Sequence, residues 1–210
     1  MTIPPFFTDL AALIPSLILD IRYASAGNFI GEPVDGYQAP RGLLTQEAAR
    51  ALAAVQDDLA ASGLGLKVFD AYRPARAVRH FVRWARDADD IRGKAEYYPH
   101  LDKPDLFRLG FIAADSAHCR GSTVDLTLIA LASGDELPMG SAFDFFGPES
   151  TLNYSGLSPN EFANRERLHA AMAARGFEGF AQEWWHFTLR DEPYPATRFD
   201  FPIIRDEGGV

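Results

Sequence analysis

The boundaries of the helices constrain this chain most. Thr45 stands before Gln46-Glu47, Pro74 follows Tyr72-Arg73, and Ser158-Pro159-Asn160-Glu161 has the form of a capping box with proline at the first helical position. Gly63 and Gly176 supply two stops. The spacing predicts helices from Gln46 to Ser62, from Pro74 to about Ala88, and from Pro159 to Gly176. In the second, Val78, Phe81, Val82 and Ala85 recur at helical period. Between these lie apolar, β-branched or aromatic runs that read as strands: Leu66–Asp70, Val124–Ala130 and Glu183–Leu189, with a shorter one expected within Leu17–Tyr23. Strands and helices are mixed without a regular βαβ alternation, which favours an α+β fold with an antiparallel sheet over a doubly wound one.

A length of 210 residues suits a single domain over 1–210, and no repeat divides it. The formal net charge of -9 disfavours nucleic acid and anionic membrane surfaces as partners, because both are bound through Lys and Arg. Cys119 is the only cysteine, which rules out an intramolecular disulfide and a multi-cysteine metal site. The stretch from Met1 to Asp20 lacks a basic n-region and is broken by Pro4, Pro5, Asp9 and Pro15. It does not read as a signal peptide, and the expected location is cytoplasmic.

Two of the five histidines sit in suggestive surroundings, His118 within Ser116–Asp125 and His186 at the end of Glu183-Trp184-Trp185-His186. A catalytic zinc keeps three protein ligands and an open position, and a carboxylate outside that set takes a proton from water. His118, Asp125 and His186 are candidate ligands and Glu183 a candidate base. Gly121 offers the bend that lets a loop histidine meet a strand aspartate. Glu183 and His186 are three apart, so on a regular strand they face opposite ways. Their pairing requires Glu183 to precede the strand, or a bulge.

The pattern S-x-H-x-x-G-x-x-x-D followed by E-x-W-H resembles the zinc D-alanyl-D-alanine dipeptidases, within the zinc D,D-peptidase group. Further resemblance lies in Asp20-Ile21-Arg22-Tyr23-Ala24 with Asn28-Phe29, in Phe69–Pro74 and in Met139–Phe145, so that similar segments run from about residue 20 to 187 in family order. The resemblance implies a central antiparallel sheet flanked by helices, with one zinc ion per chain in a cleft. It implies hydrolysis of the D-Ala-D-Ala dipeptide, with His118, Asp125 and His186 as zinc ligands and Glu183 as base. Arg73 would stabilise the oxyanion. Tyr23, Ser116 and Asp144 would line the substrate pocket, Asp144 meeting the free amino group, and Asp70 would be a pocket-side carboxylate.

Each role has a structural rival. Arg73 is also suited to anchoring the strand-to-helix junction, Asp70 to holding Arg73, Asp144 to a turn and Tyr23 to the core. Trp184 and Trp185 read as packing residues, and Arg76, Arg79, Arg83 and Arg86 as a solvated helix face paired to acids. Two other functions share the motifs: a zinc carboxypeptidase or endopeptidase acting on longer cell-wall peptides, and a non-catalytic zinc-binding module. A binding module has no need of Glu183 or Arg73.

Overall fold

The computed structural model describes residues 3–205; the other residues of the expected 1–210 domain lie outside that range. The chain begins with β1 (Phe7–Asp9), the short α1 (Leu10–Leu13) and β2 (Ile18–Leu19). Then come β3 (Leu43–Thr45), α2 (Gln46–Ala60), β4 (Leu64–Asp70) and α3 (Ala75–Arg86). Two short helices, α4 (Lys94–Tyr97) and α5 (Lys103–Arg108), lead to β5 (Thr123–Ala130), α6 (Pro159–Ala174), β6 (Phe177–Phe180) and β7 (Glu183–Leu189). The fold is α+β, as the order of signals requires. No helix among the described residues is long and apolar enough to cross a membrane.

Among the described residues, five strands form the main sheet in the order β2-β4-β5-β7-β6, and β1 pairs with β3 in a small second sheet. The expectation of an antiparallel sheet needs one correction. β2 runs parallel to β4, through Ile18–Lys67 and Leu19–Val68, while the other three pairings are antiparallel. The chain between β2 and β4 contains α2, a crossover long enough to return in the same direction. Only two residues of β2 pair, too few to leave a periodic signature. The rest of the expected Leu17–Tyr23 strand turns into a 3-10 segment at Arg22–Ala24.

Burial explains why these segments hold. In β5, Val124, Leu126 and Leu128 alternate with Asp125 and Thr127, and all five are buried. On α2 the buried positions Ala48, Ala49, Leu52, Val55, Gln56 and Leu59 form one face, which packs against β4 and α6. Gln56 accepts the backbone N–H of Leu66 at 2.8 Å, tying helix to strand. The capping box at Ser158 and Glu161 forms as expected, and α6 stops before Gly176, whose φ of +88° suits glycine.

Two helix starts differ in detail. Pro74 occupies the N-cap of α3 with extended backbone, one position earlier than expected. Thr45 is the N-cap residue of α2, but its hydroxyl does not cap. It lies 2.9 Å from Ser122 Oγ, hydrogen-bonded to the segment that follows His118. Beside this contact, Phe7, Tyr72, Phe199 and Phe201 form an aromatic cluster. The N–H of Phe199 donates to the Cys119 carbonyl at 2.9 Å, so the C-terminal segment braces the His118 turn from behind.

Candidate metal centre and cavity

Asp125 and His186 are direct cross-strand partners between β5 and β7, which places their side chains together on one face of the sheet. His118 joins them from the 3-10 turn Ala117–Arg120. The bend comes from Gly121, which ends that turn in the left-handed conformation at φ +76°. A side chain there would also run into the Phe7 ring.

The three residues bring their donor atoms into a tight triangle. His118 Nε2 lies 3.2 Å from Asp125 Oδ2 and 3.3 Å from His186 Nδ1, and His186 Nδ1 lies 3.1 Å from Asp125 Oδ1. Ligands about 2.0–2.1 Å from a tetrahedral cation stand about 3.3–3.4 Å apart; the three contacts, two of which fall on different Asp125 oxygens, are of that order, and one ligand atom from each residue lies within 4.8 Å of the other two. The protonation pattern agrees. His118 Nδ1–H donates to the Ala71 carbonyl at 2.7 Å, leaving Nε2 as a lone pair aimed at the other two donors. Asp125 Oδ1 is buried and makes no hydrogen bond among the described residues despite the nearby imidazole, an arrangement a cation would satisfy. Burial pushes the Asp125 carboxyl up, but the His118 and His186 imidazoles outweigh it and hold Asp125 far below the ordinary range. Burial pulls His186 down, and Asp125 more than reverses that. Two imidazoles and a carboxylate suit a divalent transition-metal ion.

Glu183 stands next to the triangle, with Oε2 3.6 Å from His186 Nδ1. The geometry that the three-residue spacing demanded is supplied by an irregularity in β7. Gly179 pairs with Phe187, yet the next residue, Phe180, pairs with Glu183. One step on β6 thus matches four on β7, and the bulge lets Glu183 and His186 face the same cavity. Burial raises the Glu183 carboxyl to about 6, into the range of a proton acceptor working near neutrality.

That cavity has a volume of about 570 Å³. Tyr23, Arg73, Ser116, Asp144 and Glu183 line it together with His118, Asp125 and His186. Asp144 is buried at 6% exposure and accepts the Tyr23 hydroxyl at 2.8 Å. Burial pushes its carboxyl well above the usual range, and the Tyr23 hydrogen bond only partly offsets this. Asp144 is also a turn residue, with a left-handed φ of +61°, a conformation Asp tolerates better than most residues.

Arg73 reaches the cavity between the Tyr23 and Phe81 rings, its guanidinium carbon 5.0 and 5.1 Å from their centroids. Its Nε donates to Asp70 at 2.9 Å, and Nη2 approaches Asp125 at 3.5 Å. Burial works against its charge, and Asp70 together with Tyr23, Tyr37 and Asp125 more than compensates. Asp70 does not lie on the cavity wall, where the resemblance puts it. Its carboxylate is fully buried behind Arg73 and also accepts the Tyr37 hydroxyl at 2.6 Å. The β4–β5 register shifts between Val68 and Asp70, turning this carboxylate inward. Tyr37 is a site residue that the sequence reading missed, since nothing local connects it to a carboxylate 33 positions away.

Other residues fall where packing explains them. Cys119 is buried, its thiol pushed up to about 11 by burial. Trp184 and Trp185 are buried, and Trp184 Nε1 donates to Ser141 Oγ. Arg76 and Arg79 pair with Asp200, and Arg83 with Asp35, as expected of a solvated face. His80 accepts the Asp35 N–H, His169 packs beside Phe187, and His100 is exposed. None of these histidines joins the triangle.

The chain matches known proteins over nearly its full length. A 44% identical protein of Enterococcus faecium, described as a D-alanyl-D-alanine dipeptidase, aligns over 94% of this chain and 98% of its own. One from Streptomyces coelicolor is 43% identical over the same shares, and one from Escherichia coli is 33% identical over 95% and 89%; both carry that description. The Peptidase_M15 model, described as D-ala-D-ala dipeptidase, matches residues 6–204, a span that contains every residue of the triangle and cavity, and the chain belongs to that family.

Proposed function

We propose that the protein hydrolyses the D-alanyl-D-alanine dipeptide to two D-alanine molecules, with one zinc ion held by His118, Asp125 and His186. The donor triangle beside Glu183 carries the reading, and the dipeptidase relatives support the choice of substrate. Zinc, when bound, lowers the pKa of water at this position to about 7 and polarises a carbonyl.

The remaining work belongs to the chain's own side chains. The substrate ammonium docks on Asp144, whose orientation is held by the Tyr23 hydroxyl. An arriving cation favours the ionised carboxylate there, so a free amino terminus is selected. Ser116, on the cavity wall, contacts the substrate backbone. Arg73, held by Asp70, faces the carbonyl oxygen as negative charge develops, a task worth roughly 3–4 kcal/mol if it acts as an oxyanion-hole donor. Glu183 takes a proton from the attacking water and passes it to the leaving amine. A cytoplasmic place of action is part of the proposal, in keeping with one buried, unpaired thiol.

The test is hydrolysis of D-Ala-D-Ala by the purified protein, with L-Ala-L-Ala in parallel, before and after chelation. Zinc-dependent cleavage of the D,D dipeptide alone is expected. A zinc-loaded protein that cleaves a pentapeptide stem but not the dipeptide would overturn the substrate assignment. One inert toward every peptide would overturn the activity.

A further inference from the structure

Asp144 stands in the long connection between β5 and α6 with a left-handed φ of +61°. A residue other than glycine keeps that conformation where its surroundings over-determine it. The Tyr23 hydroxyl fixes the carboxylate through Oδ2, but does not hold the backbone beneath it. The support comes from α6, behind the cavity. Asn164 Nδ2 donates to the Pro138 carbonyl at 2.9 Å. The neighbouring Arg165 is 2% exposed and does not line the cavity.

Among the described residues, the Arg165 guanidinium binds three backbone carbonyls. Nε donates to Met139 at 2.6 Å, on the chain entering a loop. Nη1 donates to Thr151 at 2.6 Å and Nη2 to Glu149 at 2.7 Å, on the chain leaving it. One planar group thus fastens both legs of the loop 139–151, which carries Asp144. Burial pulls the guanidinium down to about 10, and Glu161 restores only a part, so the group stays charged at neutral pH. Burying a charge is costly, and for stability alone a well-packed apolar side chain serves as well or better. Directional bonds in a fixed fork give a defined loop shape instead, which the point charge of a lysine cannot copy. Glu149 and Thr151 flank Ser150, whose buried hydroxyl donates at 2.5 Å to the carbonyl of Phe145, the residue after Asp144. Ser150 Oγ also lies 3.1 Å from Ser141 Oγ, a second link between the legs.

We propose that Arg165, acting through Ser150, is a positioning residue for substrate binding: by clamping the two legs of the loop 139–151 it fixes the backbone at Asp144, so that the carboxylate meets the substrate ammonium already in place. Its effect falls on binding, because the clamped loop carries Asp144 and none of the three triangle residues. This inference rests on the dipeptidase reading.

The experiment measures D-Ala-D-Ala cleavage by zinc-loaded wild type, Arg165→Lys and Ser150→Ala, each with Asp144 intact and with Asp144→Asn. Metal analysis confirms one zinc per chain in every variant. With Asp144 intact, Arg165→Lys is expected to raise KM on the order of 10-fold and Ser150→Ala about 3- to 10-fold, the range of lost hydrogen bonds, with kcat within about threefold. With Asp144→Asn, each is expected to change kcat/KM by less than about twofold, since the carboxylate through which it acts is gone. A merely structural role gives equal losses in both backgrounds. That result, or an unchanged KM in Ser150→Ala, would overturn the inference while leaving the dipeptidase reading intact. If Arg165→Lys does not fold, the Ser150→Ala cycle decides by the same criterion. Absence of D-Ala-D-Ala cleavage by the wild type would overturn that reading and this inference with it.

Discussion

Replacing Asp70 with Asn tests how the cavity cation is held. Asp70 is fully buried, and its partner Arg73 has a side chain 12% exposed, so solvent screens the pair little. With charge centres roughly 4 Å apart and an effective dielectric of about 20, their attraction is about 4 kcal/mol. Removing one member of a buried pair typically costs about 3–5 kcal/mol. Asp125, 3.5 Å from Arg73 Nη2, gives the orphaned guanidinium a second anion and places the expected loss near the lower end, about 3 kcal/mol. Urea unfolding of the metal-free protein measures it, in a double-mutant cycle with Arg73→Gln. Tyr37→Phe serves as a reference that removes only the 2.6 Å hydrogen bond, for about 1.5–3 kcal/mol. In the zinc-loaded protein, Asp70→Asn is expected to lower kcat about 100-fold with little change in KM, because a guanidinium displaced by an ångström misses the developing charge. A coupling energy below about 1 kcal/mol, the level of an exposed pair, would refute the reasoning.

Four further outcomes are expected. Glu183→Gln should lower kcat by about 10²- to 10⁴-fold while zinc content by metal analysis stays at one per chain. Gly121→Ala should destabilise the fold by roughly 2–4 kcal/mol in thermal or urea unfolding and weaken metal binding, since the new methyl meets the Phe7 ring and the left-handed backbone is strained. Asp144→Asn should raise KM for D-Ala-D-Ala and shrink the preference over an N-acetylated analogue, measured as a ratio of kcat/KM values. Cys119, with its thiol pushed up to about 11, stays protonated and buried at pH 8, so it should ignore a thiol reagent in the native protein and react only after unfolding.

Much of the framework was legible along the chain. β7 and the start of α6 lie where composition and capping chemistry place them, because both signals are local: a run of aromatic and β-branched residues and a side chain reaching its own helix end. Gly121 was readable as a bend for the same reason. The parallel pairing of β2 was not, since two paired residues carry no pattern and the direction is decided by a crossover of more than forty residues.

The candidate site divides along the same line. The chemical identity of its residues, two imidazoles, a ligating carboxylate, a base and a cation, is a property of the sequence, and the resemblance of five ordered segments attached roles to them. Their meeting is a property of the sheet. The register of β5 against β7 puts Asp125 opposite His186, and the bulge in β7 turns Glu183 to the same side. The register shift in β4 withdraws Asp70 from the cavity and makes it the holder of Arg73. Tyr37 gains its place only through a contact 33 residues apart in the chain. Local sequence determines which groups are available and how each short segment bends, because those energies act within a few residues. Distances between groups are decided only when the sheet closes, because register and burial depend on partners far away along the chain.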